Sequence, residues 1–159
     1  MTRSALLLLL VLAAGCAQAP PEPGVITVAI PVSPNNLDPR FGTDENSARV
    51  HQLIFNDLLR WDESTRLAPG LASSWETDDY RRYRIRLRQG VRFHDGHELT
   101  SKDVVHTFTS VLDPAFNSPY RGAFRDLESV SVVDPYTVDF LLKRPSGSFL
   151  PNLVFKIVP

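Results

Sequence analysis

The residues best suited to chemistry are two histidines and an aspartate within four positions, in the stretch His94-Asp95-Gly96-His97. Imidazole and carboxylate groups are suitable ligands for zinc or nickel. Gly96 places all three in one tight turn, and a metal site there would need a further ligand from elsewhere in the chain. We favour a structural interpretation, in which His94 and Asp95 hydrogen-bond the turn and His97 faces solvent. The alternative is a secreted metal-dependent hydrolase built on this turn.

The rest of the chain offers little for catalysis. No serine lies in a Gly-x-Ser-x-Gly elbow, and no Gly-rich phosphate loop is present. The adjacent carboxylates at 62–63 and 78–79 are interpreted as solvated turn residues rather than as an acid-base pair. His51 and His106 lie singly on predicted helices. We therefore predict a protein that is not an enzyme and that holds neither a metal nor a cofactor.

Residues 1–15 have the features of a secretory signal, because Arg3 precedes an unbroken apolar run over residues 5–14. That run is too short to cross a bilayer core of roughly 30 Å as a helix. Cys16 is the only cysteine, so an intrachain disulfide is impossible. The stretch Ala-Ala-Gly-Cys at 13–16 resembles the bacterial lipobox, which implies lipidation of the Cys16 sulfur. The alternative is a plain signal cleaved nearby, with Cys16 incidental.

A Pro-rich tether separates Cys16 from the part of the chain that can fold. Three prolines fall within residues 17–24 and keep this tether extended. Residues 25–159 are long enough for one domain with a core of its own. An apolar content of 43% is normal for a globular chain. The formal net charge of −1 gives no bias toward nucleic acid or anionic membranes.

The first elements of this domain are a strand and a helix. Residues 25–30 are mostly apolar and predict a short strand buried on both faces. A loop with two prolines and two asparagines follows, and Asp44 or Thr43 can cap a helix that starts near Glu45. Its apolar residues predict a wide hydrophobic face: Ala48, Val50, Leu53, Ile54, Phe55, Leu58 and Leu59.

An alternating strand is the clearest element in the sequence. Tyr83, Ile85 and Leu87 face one side, and the arginines at 82, 84, 86 and 88 face the other. Acidic residues close in sequence, at 76, 78 and 79, can neutralise part of this arginine row. No aromatic stacking pattern accompanies the row, so we interpret it as a solvated sheet face and not as a nucleic-acid surface.

The second half of the domain begins with a capped helix. Thr100 and Asp103 fit the capping box, and apolar residues from Val104 to Leu112 then share one helical face until Asp113-Pro114 ends the helix. Residues 130–133 and 137–142 predict a hairpin around an Asp-Pro-Tyr turn. Residues 154–158 predict a last apolar strand.

Several motifs occur in an order that resembles the extracellular solute-binding proteins of bacterial ABC importers, family 5. The segment 87–96 reads Leu-Arg-Gln-Gly-Val-Arg-Phe-His-Asp-Gly, and 133–138 reads Val-Asp-Pro-Tyr-Thr-Val. Further motifs lie at 36–39, 54–59, 67–76 and 99–104. Asp57 departs from the pattern, because members usually carry glycine there. In the family the His-Asp-Gly segment is a structural turn, which supports the structural interpretation given above.

The resemblance implies a mixed α/β fold, the N-terminal part of a periplasmic-binding-protein type II-like fold with the family's small extra α/β domain. Members are several times longer than this chain. Residues 25–159 would then hold the first strand of lobe one, the small extra domain and the return to lobe one, with the second lobe absent. Such a portion is not expected to bind solute with the affinity of a whole member, since burial between two lobes supplies the pocket.

The resemblance also implies a function. It is that of a monomeric receptor lipoprotein, anchored by lipid to a membrane in the periplasm or at the cell surface. The receptor captures a short peptide and delivers it to ABC permease subunits. A nickel, opine or sugar binder of the same family is an alternative, and so is a nonfunctional remnant domain. The family's loop after the first strand lines the cleft, which implies ligand contacts at Val32, Ser33, Pro34 and Asn35; the alternative is an ordinary solvent-facing turn.

Overall fold

The computed structural model describes residues 23–159, and the chain divides into two units after Pro31. The predicted signal at 1–15 and Cys16 lie outside the described residues. Residues 25–30 do not form the predicted buried strand. Ile26 is 90% exposed, and the backbone of this segment joins no ladder among residues 23–159. The strand prediction was therefore wrong. An apolar run forms a strand only where a neighbouring backbone supplies hydrogen bonds, and no backbone among residues 23–159 pairs with this segment.

Helix α1 spans Glu45–Ile54, and Asp44 is its N-cap, as predicted. The Asp44 side chain accepts a hydrogen bond from the Ser47 amide at 3.0 Å. The predicted wide apolar face is wrong. Leu53 is 74% exposed, and the buried residues of α1 are Ser47 and His51. The inner face of α1 is polar because it contacts the loop that precedes the helix, whose backbone groups need hydrogen-bonding partners.

A two-stranded hairpin follows the helix. Strand β1 (Leu59–Trp61) pairs antiparallel with β2 (Leu67–Pro69). Gly70 lies against the backbone that precedes β1. A Cβ at this position would come within 2.4 Å of the Asp57 carbonyl oxygen, so only glycine fits without a backbone shift.

A four-stranded antiparallel sheet forms one layer of the domain. Its strands are β3 (Ala72–Glu76), β4 (Arg82–Leu87), β5 (Leu127–Asp134) and β6 (Thr137–Leu142), in the order β3-β4-β6-β5. The alternation predicted for β4 is confirmed, because Tyr83, Ile85 and Leu87 are buried. The predicted hairpin is β5-β6, and β5 begins three residues earlier than expected.

Helix α2, Ser101–Leu112, packs on this sheet as the second layer. The predicted capping box is confirmed, because the Asp103 carboxylate accepts from the Thr100 amide at 2.7 Å. Phe108 lies at the centre of the core, with its ring centroid 4.9 Å from that of Phe140 and 5.1 Å from that of Phe124. The helix ends at Leu112, where Asp113-Pro114 was expected to stop it.

The remaining connections are short 3-10 helices at Pro114–Phe116, Pro119–Phe124 and Leu150–Leu153. The strand predicted at 154–158 is wrong as a strand, since it is reduced to one isolated bridge between Asp57 and Lys156. Two hydrogen bonds flank that bridge, from the Leu58 amide to the Phe155 carbonyl and from the Ile157 amide to the Asn56 carbonyl. None of the helices in residues 23–159 has the length and apolar character that crossing a membrane requires.

Candidate functional site: the loop before helix α1

The predicted ligand residues lie in the loop of residues 32–44, which we call the 32–44 loop. Val32, Ser33 and Asn35 are exposed, and Pro34 is half-buried. They are contiguous at the start of the loop, and nothing in the structure tests their contact with a ligand. They remain a prediction. The structure does show which side chains hold the backbone of the rest of the loop in place.

Helix α1 fixes the loop through Asp44 and Ser47. The Asp44 carboxylate accepts from the Asn35 amide at 3.3 Å, and the Ser47 hydroxyl accepts from the Asn36 amide at 3.2 Å. A hydrogen bond from the Ser47 side chain, together with the one from its backbone amide, lowers the pKa of Asp44 to about 2. Asp44 is therefore ionised at neutral pH and holds both the helix end and the loop.

His51 holds the loop from the next turn of α1. Its side chain is buried, and Nε2 lies 3.0 Å from the carbonyl oxygen of Asn36. Because a carbonyl oxygen only accepts, Nε2 carries the proton and donates. The loop also closes around the imidazole at Gly42, where an added Cβ would lie 2.5 Å from His51 Cε1.

Arg40 ties the middle of the loop to helix α2. Its guanidinium donates to the Asp38 carboxylate at 2.8 Å and to the Ser110 hydroxyl at 3.0 Å, and it stacks over the ring of Phe116 at 4.6 Å. Burial tends to raise the pKa of Asp38, but the hydrogen bonds from Arg40 outweigh it and keep that pKa below its usual value. The ion pair is therefore formed at neutral pH.

The 3-10 helix Pro119–Phe124 and its N-cap, Ser118, also hydrogen-bond to the loop. The Ser118 hydroxyl donates to the Arg40 carbonyl at 2.7 Å, and the Tyr120 hydroxyl donates to the Gly42 carbonyl. These contacts join residues 78 positions apart in the chain. The 32–44 loop thus presents exposed amide and hydroxyl groups on a fixed backbone. That arrangement suits hydrogen bonding to a polar solute, and the loop contains no nucleophile paired with a base.

Apart from Asp44, which was predicted as a helix cap, the sequence did not identify the residues that anchor the loop. Ser47 could have been found, because Asp44 and Ser47 have the spacing of a helix cap and its third residue. His51 carried only a weak signal, as a single histidine on a predicted helix. Nothing in the sequence pairs Ser118 and Tyr120 with a loop 78 positions earlier, since such contacts exist only after folding.

The His94-Asp95-Gly96-His97 turn directs its side chains to different partners. Asp95 accepts from the His97 amide at 2.9 Å, and Gly96 has a φ of +88°, which favours glycine. His94 Nε2 lies 3.1 Å from the Ile54 carbonyl. His94 therefore bonds the end of α1, and the prediction that it would hydrogen-bond the turn was wrong. His97 Nε2 lies 3.6 Å from Asp103 Oδ1. Among residues 23–159, no three His, Cys, Asp or Glu side chains are grouped as metal ligands.

Comparison with known proteins places the chain in a family. The model described as bacterial extracellular solute-binding proteins, family 5 Middle, matches residues 66–158. The oligopeptide-binding protein AppA of Bacillus subtilis is 31% identical over 134 residues, which are 84% of this chain and 25% of that protein. Di/tripeptide-binding protein 1 of Pseudomonas aeruginosa is 31% identical over 145 residues, 76% of this chain and 26% of that protein.

A solved structure agrees with these relatives. The NikZ protein of Campylobacter jejuni, in complex with Ni(L-His), superposes with a TM-score of 0.73 at 31% identity, covering 80% of this chain and 26% of that one. The chain thus spans about a quarter of the length of the proteins it matches. The predicted mixed α/β fold of the type II periplasmic-binding class is confirmed. The chain belongs to the bacterial extracellular solute-binding proteins of family 5.

Proposed function

We propose that this chain forms part of the extracytoplasmic receptor of an ABC importer, which captures short peptides and delivers them to the permease subunits in the membrane. Family membership supports this proposal, and the peptide-binding relatives favour a peptide over other solutes. The 32–44 loop is the structural observation behind it. The start of the loop, at Val32, Ser33, Pro34 and Asn35, is the proposed contact with the peptide backbone.

The chemistry of these residues fits a peptide. A peptide backbone offers alternating donors and acceptors, and the Ser33 hydroxyl, the Asn35 side chain and the loop backbone can pair with both kinds. The charged side chains of the loop already have partners. Asp38 pairs with Arg40, and the ionised Asp44 accepts hydrogen bonds from the Asn35 and Ser47 amides. Contacts of this kind are independent of the peptide's side chains, so we expect tolerance of peptide sequence.

The test is a nuclear magnetic resonance titration of residues 17–159 with trialanine. The amides of Val32, Ser33 and Asn35 should shift with a dissociation constant in the millimolar range, since one loop supplies only part of a two-lobed pocket. Amides at the exposed positions of α2, such as Lys102, serve as the internal control. Parallel titrations with nickel-histidine and with a disaccharide examine the other solute classes. Shifts at the loop with one of these and none with trialanine would contradict the peptide assignment.

We also propose that Cys16 is lipidated and anchors the protein to a membrane, in the periplasm or at the cell surface. The apolar run and small residues before Cys16 support this step. In bacterial cells fed an alkyne-labelled fatty acid, the full chain should take up the label and partition into detergent, and Cys16→Ser should do neither. Unlabelled wild-type protein, secreted and free of the membrane fraction, would show instead a plain signal with an incidental cysteine.

A further inference from the structure

We propose that His51 and Tyr120 are positioning residues that lock the 32–44 loop in a single conformation, so that the loop is preorganised before any solute arrives. The importance of this lock for solute capture rests on the proposed function. The lock itself is a property of the fold and can be measured without a ligand.

Three carbonyl groups of the loop carry the argument. The carbonyls of Asn36, Arg40 and Gly42 each accept a hydrogen bond from a side chain outside the loop. The donors are His51 on α1, Tyr120 on the 3-10 helix Pro119–Phe124 and Ser118, the N-cap of that helix. An ordinary surface turn leaves such carbonyls to water or to its own backbone, and needs no side chains from two other elements.

His51 and Tyr120 bond to two different carbonyls of the 32–44 loop. His51 is 3% exposed, and the hydrogen bond to the Asn36 carbonyl is the only one that its side chain makes among residues 23–159. Loss of its donor would leave that carbonyl without its partner. Tyr120 holds the Gly42 carbonyl, and Gly42 must be glycine because its missing Cβ makes room for the His51 ring and for the Asn36 carbonyl.

Preorganisation has a direct consequence for binding. A loop that is already ordered loses less conformational entropy when it engages a solute, so more of the contact energy is available as affinity. Residues Val32 to Asn35 contribute the proposed contacts. His51 and Tyr120 contribute the order, because they bond to backbone carbonyls farther along the loop.

The experiment compares variants at both locking positions by amide hydrogen exchange. His51→Phe keeps a ring and removes the donor, His51→Gln keeps an N–H donor, and Tyr120→Phe removes only the hydroxyl. Loss of one hydrogen bond to a sheltered acceptor should speed exchange of the Phe41 and Gly42 amides roughly tenfold in both phenylalanine variants. His51→Gln should stay near the wild type, and Gln52→Ala, at an exposed position on the same helix, is the matched control.

The outcomes separate the lock from the proposed function. Unchanged exchange in both phenylalanine variants would overturn the lock, and so would equal acceleration of the β4 and β6 amides, since that reports general destabilisation. If the loop loosens and trialanine binds about tenfold more weakly to His51→Phe, the positioning role stands. If the loop loosens and the trialanine affinity of the wild type is retained, that role is overturned. If the wild type binds no solute, the proposed function fails and the exchange rates alone decide the lock.

Discussion

At the scale of single residues, Phe108 is central to the packing of the core, because several aromatic rings meet there. Phe108 is fully buried, and its ring contacts those of Phe124, Phe140 and Phe155. The first two contacts are edge-to-face, the arrangement in which the positive edge of one ring meets the negative face of the other. Phe108 therefore joins helix α2 to the sheet and to the segment that ends at Pro159.

Phe108→Ala should lower the free energy of unfolding by about 3–5 kcal/mol, because it removes apolar burial and leaves a cavity among three rings. Urea unfolding of the folded unit measures this loss. Leu53→Ala is the control, since Leu53 is exposed and its truncation should change stability by less than about 0.5 kcal/mol. Similar losses in the two variants would contradict the assignment of Phe108 as the centre of the core.

A second group of residues shows how charges are arranged on the outer sheet face. Arg84 donates two hydrogen bonds of 2.8 Å to Asp139, its direct cross-strand partner, and Arg86 pairs with Glu76 at 3.2 Å. Glu76 was expected to neutralise part of the arginine row. Asp139 could not be foreseen, because its register against β4 depends on how the β5-β6 hairpin docks. Ion pairs therefore neutralise two of the four arginines in the row, Arg84 and Arg86, so the face is not a continuous basic surface.

At the scale of elements, the starts of both helices were predicted correctly, because the residues that form a helix cap lie close together in the sequence. Thr100 and Asp103 lie three positions apart, and no distant residue is needed for their hydrogen bond. Predictions of strands, which need a second strand as hydrogen-bonding partner, were less accurate. Residues 25–30 and 154–158 have strand-like sequences, and neither forms a named strand among the described residues.

Asp103→Ala should destabilise the domain by about 1 kcal/mol, since it removes the carboxylate that accepts from the Thr100 amide at the start of α2. Thermal unfolding followed by circular dichroism is a suitable measurement. Lys102→Ala changes an exposed residue in the same turn and should cost less than about 0.5 kcal/mol. Equal effects at 102 and 103 would show that the capping box contributes no stability.

At the scale of the whole molecule, the carboxyl groups share one tendency. Among residues 23–159, every carboxyl group with a clear shift has its pKa lowered: Asp38, Asp44, Asp62, Asp79, Glu98, Asp134 and Asp139. For most of them the cause is hydrogen bonding to backbone amides or to arginine. The folded state therefore prefers these groups ionised more strongly than the unfolded state does.

The melting temperature should be nearly constant from pH 7 to about pH 5 and should fall as the pH drops from about 4 toward 2. A folded-state pKa below the unfolded value gives stability above the unfolded pKa, and that stability is lost as pH falls through the folded pKa. For Asp44 these values are 3.8 and about 2. Calorimetry across this range measures the effect, and Asp44→Asn, which keeps a capping oxygen without the charge, should reduce the slope. A melting temperature that rises on acidification would contradict this.

The sequence by itself determined the local and periodic features of this protein. The alternation of β4, the Asp44 and Thr100 caps, the β5-β6 hairpin and the family motifs depend on residues close together in the chain, so they could be predicted. Only the tertiary structure decided that α1 turns Ser47 and His51 inward and that His94 bonds the end of α1. It alone brought Ser118 and Tyr120 to the 32–44 loop. The physical reason is that a buried donor or acceptor must find a partner wherever the folded chain places one, and that choice is made between residues far apart in sequence.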